Sequence, residues 1–329
     1  MAYTAIDDPE AYFQVKLYAG DSTNHAITLD GDTDMQPDFV WIKETDDAIN
    51  HYVFDSVRGV GKKLSPNTSS AESDSDSTWF ASFDSDGFSI GSEDNINDTG
   101  DNYVAWCWKE SATSGFDILT YTGTGSDASI SHSLSAIPQM IIVKTRSATD
   151  GWHVYHESMG NDKNIKLNLT AANYTSNNWK KVDPTSSVFY LKSGTYDTNI
   201  DTRTYVAYLF AAKQGFSKFG SYEGNGNADG TFVYTGFRPA FLMFKNADAG
   251  SSNWQIYDNK RHGYNSANEL FRANANNAGA DVDPIDILSN GFKQLNTAAS
   301  NNVSGQTYVY MAFAEQPFVN SNGVPCNAR

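Results

Sequence analysis

Cysteine is nearly absent: two residues, Cys107 and Cys326, in a chain of 329. That rules out a disulfide framework, so the fold has to hold through its core. Cys107 lies inside an apolar run and is expected as a small buried hydrophobe, and Cys326 as a free thiol. Basic charge is also short, with 23 Lys and Arg against 39 Asp and Glu, a net charge of −16 and a pI near 4.6. A chain without basic clusters cannot displace counterions from phosphates, which sets nucleic acid aside. An anionic membrane surface is unfavourable for the same reason. No apolar run approaches the length of about 18 residues that spans a bilayer, so no membrane insertion is expected. The opening MAYTAIDDPEAY has neither a basic nor an apolar region, so cytoplasmic synthesis without a cleaved leader is expected.

Reaction motifs are missing too. The six histidines (His25, His51, His132, His153, His156, His262) form no HExxH and no paired Cys/His spacing. His153 and His156, three apart in WHVYHE, fall on opposite faces of an extended strand and cannot chelate together. His156 takes the place of Asp55 and Asp258 in related segments, so that position is expected to be polar and exposed. The stretch from Phe83 to Asp101 offers Asp84, Asp86, Glu93, Asp94, Asp98 and Asp101 as hard oxygen donors. It does not follow the EF-hand pattern and reads as a solvated turn rather than a calcium loop. There is no GxSxG, no Walker loop and no carboxylate pair that a motif singles out. The glycines of TGTGS and EGNGN sit between strands as hairpin turns. The expectation is a protein that is not an enzyme and holds no cofactor and no metal.

What is present is a repeat. PDFVWIK (Pro37 to Lys43), PQMIIVK (Pro138 to Lys144) and PAFLMFK (Pro239 to Lys245) recur at a spacing of 101 residues. Each is followed by a second motif: HYVFD at 51–55, WHVYH at 152–156, WQIYD at 254–258. A third closes the set: YVAWCWK from Tyr103, YVAYLFAAK from Tyr205, YVYMAFAE from Tyr308. Landmarks kept in one order at one period indicate one module used three times. The boundaries read as an N-terminal segment 1–11, repeats over 12–110, 116–213 and 216–316, and a tail over 317–329.

Short runs rich in Val, Ile, Tyr, Phe, Trp and Thr, separated by Gly, Asn, Asp and Ser, predict strands throughout. The second repeat predicts seven, over 117–122, 128–134, 139–146, 151–157, 164–169, 186–192 and 204–213. The fold class is therefore all-β: three tandem antiparallel β-sandwich modules of about 100 residues. Each is large enough to bury a core alone. The joints, ESATSG and Gln214-Gly215, are too short for floppy tethers, so the modules are expected to pack compactly, with pseudo-threefold symmetry. The closing strand separates a bulky face (Val104, Trp106, Trp108) from a smaller one (Tyr103, Ala105, Cys107), and the bulky face is expected to fill the sandwich core. The Pro-to-Lys run, apolar on both faces, predicts a central strand with the proline in first position. A helical turn is expected around 266–275, and SPNTSSAESDSDS (65–77) reads as an exposed loop.

The last strand and tail, YVYMAFAEQPFVNSNGVPCNAR, resemble the C-terminus of bacteriophage virion proteins of the tail-fibre or tail type, common in marine phages. RHGYN (261–265), LSNGFK (288–293) and the repeated apolar runs share the resemblance, which covers nearly the whole chain. It implies a structural protein on the virion surface, synthesised in the host cytoplasm, whose partners are other virion proteins. Copies on a particle favour a homo-oligomer, with a trimer the first expectation. Only about 11 residues precede the first repeat. That is little for docking on a tail, which keeps a capsid-surface decoration (cement) protein as an alternative. A carbohydrate-binding lectin module that meets a host-surface glycan is a further one. For it, Tyr174, Trp179, Tyr196 and Tyr264, aromatics in polar loops, are the candidate ligand contacts. Trp41, Trp106, Trp108, Trp152 and Trp254 read as core.

Overall fold

The structure, a computed structural model, describes residues 3–194, 197–261 and 264–326, apart from the side chain of Asn268. The fold is all-β and antiparallel, with sheets packed compactly. Among the described residues no helix is long and apolar enough to cross a membrane.

Three large sheets begin with the same four strands in the same order. An opening strand pairs with the closing strand, which pairs with the Pro-to-Lys strand, which pairs with a fourth. In the first sheet these are Phe13–Ala19, Asn102–Trp108, Phe39–Glu44 and Tyr52–Asp55. In the second they are Phe116–Thr122, Thr204–Phe210, Met140–Thr145 and Trp152–His156. In the third they are Ser217–Glu223, Thr307–Pro317, Phe237–Asn246 and Trp254–Asp258. We call each sheet, with its covering strands, a unit. In the first unit His25–Thr28, Gly87–Ile90 and Phe80–Asp84 form the covering layer, and in the second Ala128–Ser131 pairs with Val188–Leu191. In the third, Ala280–Leu288 carries the sheet round to Gly291–Gln294 and Phe232–Tyr234, so both layers belong to one eight-stranded sheet. The expected helical turn near 266–275 is instead the strand Ala267–Arg272, which links those layers. Pro37 and Pro138 precede their strands by two residues, and Pro239 sits inside its strand at a register shift. A residue without an N–H is tolerated there because the ladder is already broken.

A short structural signature marks all three units. Tyr18 stacks on Tyr103, Tyr121 on Tyr205 and Tyr222 on Tyr308, at 5.1, 4.9 and 4.9 Å between ring centres. The second hydroxyl of each pair accepts the N–H five residues upstream, from Asp98, Ile200 or Val303. Glycine is required beside it: a Cβ on Gly123 would lie 2.1 Å from the Ile200 carbonyl oxygen.

The bulky face of the closing strand does not fill its own sandwich. Tyr103, Ala105 and Cys107 do that in the first unit, and Tyr205, Ala207 and Leu209 in the second. Val104, Trp106 and Trp108, with Val206, Tyr208 and Phe210 and with Val309, Met311 and Phe313, meet in one core shared by all three units. Phe39 lies 4.7 Å from Tyr208, Phe13 5.3 Å from Phe313 and Phe210 6.0 Å from Phe313, so every pair of units is in contact. A small apolar void of about 20 Å³ lies between them. Each of these large side chains contributes about 1.5–3 kcal/mol by leaving water. A sheet on its own would expose this face.

Polar contacts close the ring in cyclic order. At the end of each fourth strand stands Asp55, His156 or Asp258. Asp55 pairs with Arg58 and accepts the Tyr208 hydroxyl of the second unit at 2.7 Å. Asp258 pairs with Arg261 at 2.6 Å and accepts Trp106 Nε1 of the first unit at 3.1 Å. His156 bonds through Nε2 to the Tyr310 carbonyl of the third unit at 3.1 Å. It is 1 % exposed, not the exposed polar site expected, and burial lowers its pKa to about 4.

Loops reinforce the same order. Glu72 N–H donates to the Arg146 carbonyl and its carboxylate takes two bonds of 2.9 Å from the Arg146 guanidinium. Asn173 N–H donates to Ala247 and Gly279 N–H to Thr45. The segment 65–77 is thus docked on the second unit along its inner side, where Trp152 Nε1 also donates to Ser65 and Thr68 carbonyls, while its outer residues are exposed. Backbone groups at a joint need partners, and here the neighbouring unit supplies them.

The repeated lysines Lys43, Lys144 and Lys245 stand one residue before the ends of the Pro-to-Lys strands, fully buried on this inter-unit side. Each donates to the carbonyl of the next residue at 2.6–2.8 Å, and Lys245 also reaches Thr170 of the second unit. Burial lowers each pKa to about 8.

Two expectations follow. Arg58→Met leaves Asp55 charged and buried with only neutral partners, so chemical denaturation should show a loss of about 3–5 kcal/mol, with a smaller loss for Asp55→Asn/Arg58→Met. The second concerns pH. The unfolded chain holds lysine protons that the folded lysines release from about pH 8, so stability rises from there towards pH 10. Above about pH 10 the unfolded chain sheds tyrosine protons that buried Tyr103 and Tyr205 keep, and stability falls. Urea denaturation across pH 7.5–10 should show the rise, and each Lys→Met change should remove up to about 1 kcal/mol per pH unit of its slope.

Candidate functional site

The second unit carries an open polar cleft of about 350 Å³. Strand alternation sets the layer beneath it. Trp152, Val154 and His156 face the shared core, which turns His153 and Tyr155 towards the unit's own side. His153 is 1 % exposed. Its Nδ1 accepts from the amides of Asn178 (3.0 Å) and Asn164 (3.3 Å), which leaves the proton on Nε2. Nε2 lies 3.5 Å from both Asp150 Oδ1 and Asp197 Oδ2. Asp150 comes from the turn before the strand and Asp197 from the segment before the closing strand, so residues far apart in sequence meet here. The walls are Tyr174, from the two-residue edge strand Tyr174–Thr175, with Asn177, Asn178 and Lys181.

Charge is balanced beneath the cleft. Lys166 Nζ stands 3.7 Å from Asp197 and 4.0 Å from Asp150, and Arg203 is 3.6 Å from Asp150. Burial disfavours the Asp150 carboxylate, but His153, the Gly151 N–H and Lys166 outweigh it and hold its pKa below the usual value. Asp150, His153 and Asp197 bring ligand atoms within 4.8 Å of one another. A metal there would have to share the carboxylates with Lys166 and Arg203, and His153 would have to give up its Nε2 proton. The arrangement is better suited to hydrogen bonding: an aromatic wall, amides that donate and accept, and an accessible carboxylate.

Of the four aromatics expected as ligand contacts, Tyr174 lines this cleft, 39 % exposed, its hydroxyl accepting from Asn164 Nδ2 at 2.8 Å. Trp179 does not: it is 2 % exposed and packs edge-on against Tyr155 inside the unit. A tryptophan in a polar sequence can still be the plug of a small core, because its flanking polar residues occupy the turn around it. Tyr264 is 74 % exposed but belongs to the third unit. Tyr196 lies outside the described residues. Asp150 and Asp197 were not singled out by the sequence, and His153 was weighed only as a ligand beside His156; the spacing of Asp150 three residues before His153 was the available signal. Of the acidic stretch 83–101, Asp84 is tied to Ser82 and Ser89 within its hairpin, and Asp94 lies in the short helix Asp94–Asn97.

The chain belongs to the DUF7483 family, described as a domain of unknown function, whose match covers residues 8–317. No curated protein and no solved structure matches it.

Trp179→Ala should cost about 3–5 kcal/mol in urea denaturation, as for a core aromatic. Tyr174→Ala should stay within about 1 kcal/mol of the parent chain.

Proposed function

We propose that the chain is a non-enzymatic structural protein of a bacteriophage particle, an external tail appendage component that makes assembly contacts and meets the host surface. The observation that carries this reading is the single core shared by three sheet units. It makes one rigid body from three repeats and leaves loops and the outer faces of the covering strands for external contacts. Such a body transmits position and load without internal hinges, which suits a particle component. The resemblance of its C-terminal strand and tail to tail-fibre proteins supports the same reading, and a homotrimer on the particle is part of it. Mass spectrometry of purified particles of the encoding phage should find the chain, and its absence would end the proposal. Cryo-EM localisation to the head would replace it with the decoration-protein alternative.

The cleft beside Tyr174 favours a second reading, a lectin-like contact with a host glycan. An aromatic ring next to amides and a carboxylate is the surface on which a sugar can stack and hydrogen-bond. Glycan-array binding that is lost in Tyr174→Ala and in Asp197→Asn, with thermal stability retained, is the expected result. An array without signal removes this reading.

A further inference from the structure

The three units provide an internal comparison at one position. Glu44, Thr145 and Asn246 each pair across the sheet with the closing-strand tyrosine, Tyr103, Tyr205 or Tyr308. Two residues before those tyrosines stand Asp101, Arg203 and Gln306. In the third unit the Asn246 amide donates to the Gln306 side-chain oxygen, a neutral pair. In the second, Arg203 supplies positive charge and faces Asp150 at 3.6 Å. In the first, both positions are carboxylates, and Asp47 adds a third. Ligand atoms of Glu44, Asp47 and Asp101 lie within 4.8 Å of one another. Glu44 is 2 % exposed, and its Oε1 has no hydrogen-bond partner.

Like charges held this close disfavour one another. Burial, then Asp101, raise the Glu44 pKa to about 7, with Asp47 adding to the rise and Lys43 opposing it. Asp101 is shifted upward as well, by desolvation and by Asp98, Asp47 and Asp46. The Lys43 ammonium donates to the backbone oxygens of Glu44 and Asp47, at 2.6 and 3.0 Å. An acidic group that the other two units replace by an arginine or by an amide pair calls for positive charge from solution.

We propose that Glu44, Asp47 and Asp101 form a binding site for a hard divalent cation, calcium in preference to magnesium. The donors are all oxygen, which suits a hard ion. An ion at about 2.4 Å from each oxygen bridges atoms up to about 4.8 Å apart, the span found here. Calcium accepts irregular geometry, and exposed Asp47 leaves room for water to complete its shell. Magnesium, smaller and slow to lose water, fits such a set less well. The acidic stretch expected to be a solvated turn contributes one ligand, Asp101. Its two partners come from the end of the paired strand Phe39–Glu44 and from the turn just after it.

The test is calorimetric titration of calcium chloride into the chelator-treated full chain, with thermal melts alongside. The parent chain should bind one ion saturably at this site and melt higher with calcium. Glu44→Gln and Asp47→Asn should each weaken binding about tenfold or more. Asp101→Asn should abolish the calcium response yet melt higher than the parent without calcium, because it restores an amide–carboxylate hydrogen bond where two carboxylates repelled. A merely structural acid would lower that melt. No saturable heat on the folded parent chain would overturn the proposal. So would binding that survives Glu44→Gln and Asp47→Asn but is lost in Asp197→Asn, which would move the ion to the second unit.

Discussion

The structure depends on one packing event: the bulky faces of three closing strands buried against each other. Each large sheet has two apolar faces, and its covering strands conceal only one. The other carries Trp106, Tyr208 or Met311 at its centre, with Phe and Trp around them. Left exposed, these would form an aggregation-prone patch far larger than a soluble surface tolerates. Three such faces meeting at one place remove all of them from water at once. The first and second units thus keep sandwich cores of their own and share a further core with the third, and the short joints reflect that.

Directional contacts then fix which unit meets which. Asp55, His156 and Asp258 occupy one place, but each solves it according to its neighbour. Tyr208 and Trp106 bring an O–H or N–H, so a carboxylate opposite them is satisfied, with an arginine three residues on to neutralise it. Met311 brings no donor. The second unit accordingly places a histidine there, whose Nε2 pairs with a backbone carbonyl, and Met159 replaces the arginine. A buried carboxylate opposite methionine would lack a partner, which is costly in a dry interface. The change from acid to histidine, which looked like a surface variation, is the trace of this exchange.

Where the units agree, they supply scaffold: stacked tyrosines, tight glycines and buried lysines. Where they differ, distinct chemistry appears. The second unit extends its sheet by Lys163–Lys166 and Tyr174–Thr175, and an open cleft forms over His153. The first unit gathers three carboxylates where its siblings have an arginine or an amide pair. The third unit spends its divergence on joining its two layers into one sheet. A rigid shared core tolerates such local variation, because the rims of the sheets carry little of the packing.

Much was decided by sequence alone. The period of 101 residues between Pro-to-Lys runs, the strands of the second repeat, the buried tryptophans Trp41, Trp106, Trp108, Trp152 and Trp254, and the all-β class follow from alternation and turn residues, which are local properties. Tertiary structure decided the rest. Alternation says that Trp106 and Cys107 face opposite ways, but not which way leads to a neighbouring unit, since both faces are apolar. Polar flanks placed Trp179 at the surface, whereas its ring fills a core. Asp150 with Asp197, and Glu44 with Asp101, are nearly 50 and nearly 60 positions apart. Only the pairing of non-adjacent strands brings them together, because side-chain chemistry acts over a few ångströms of space rather than along the chain.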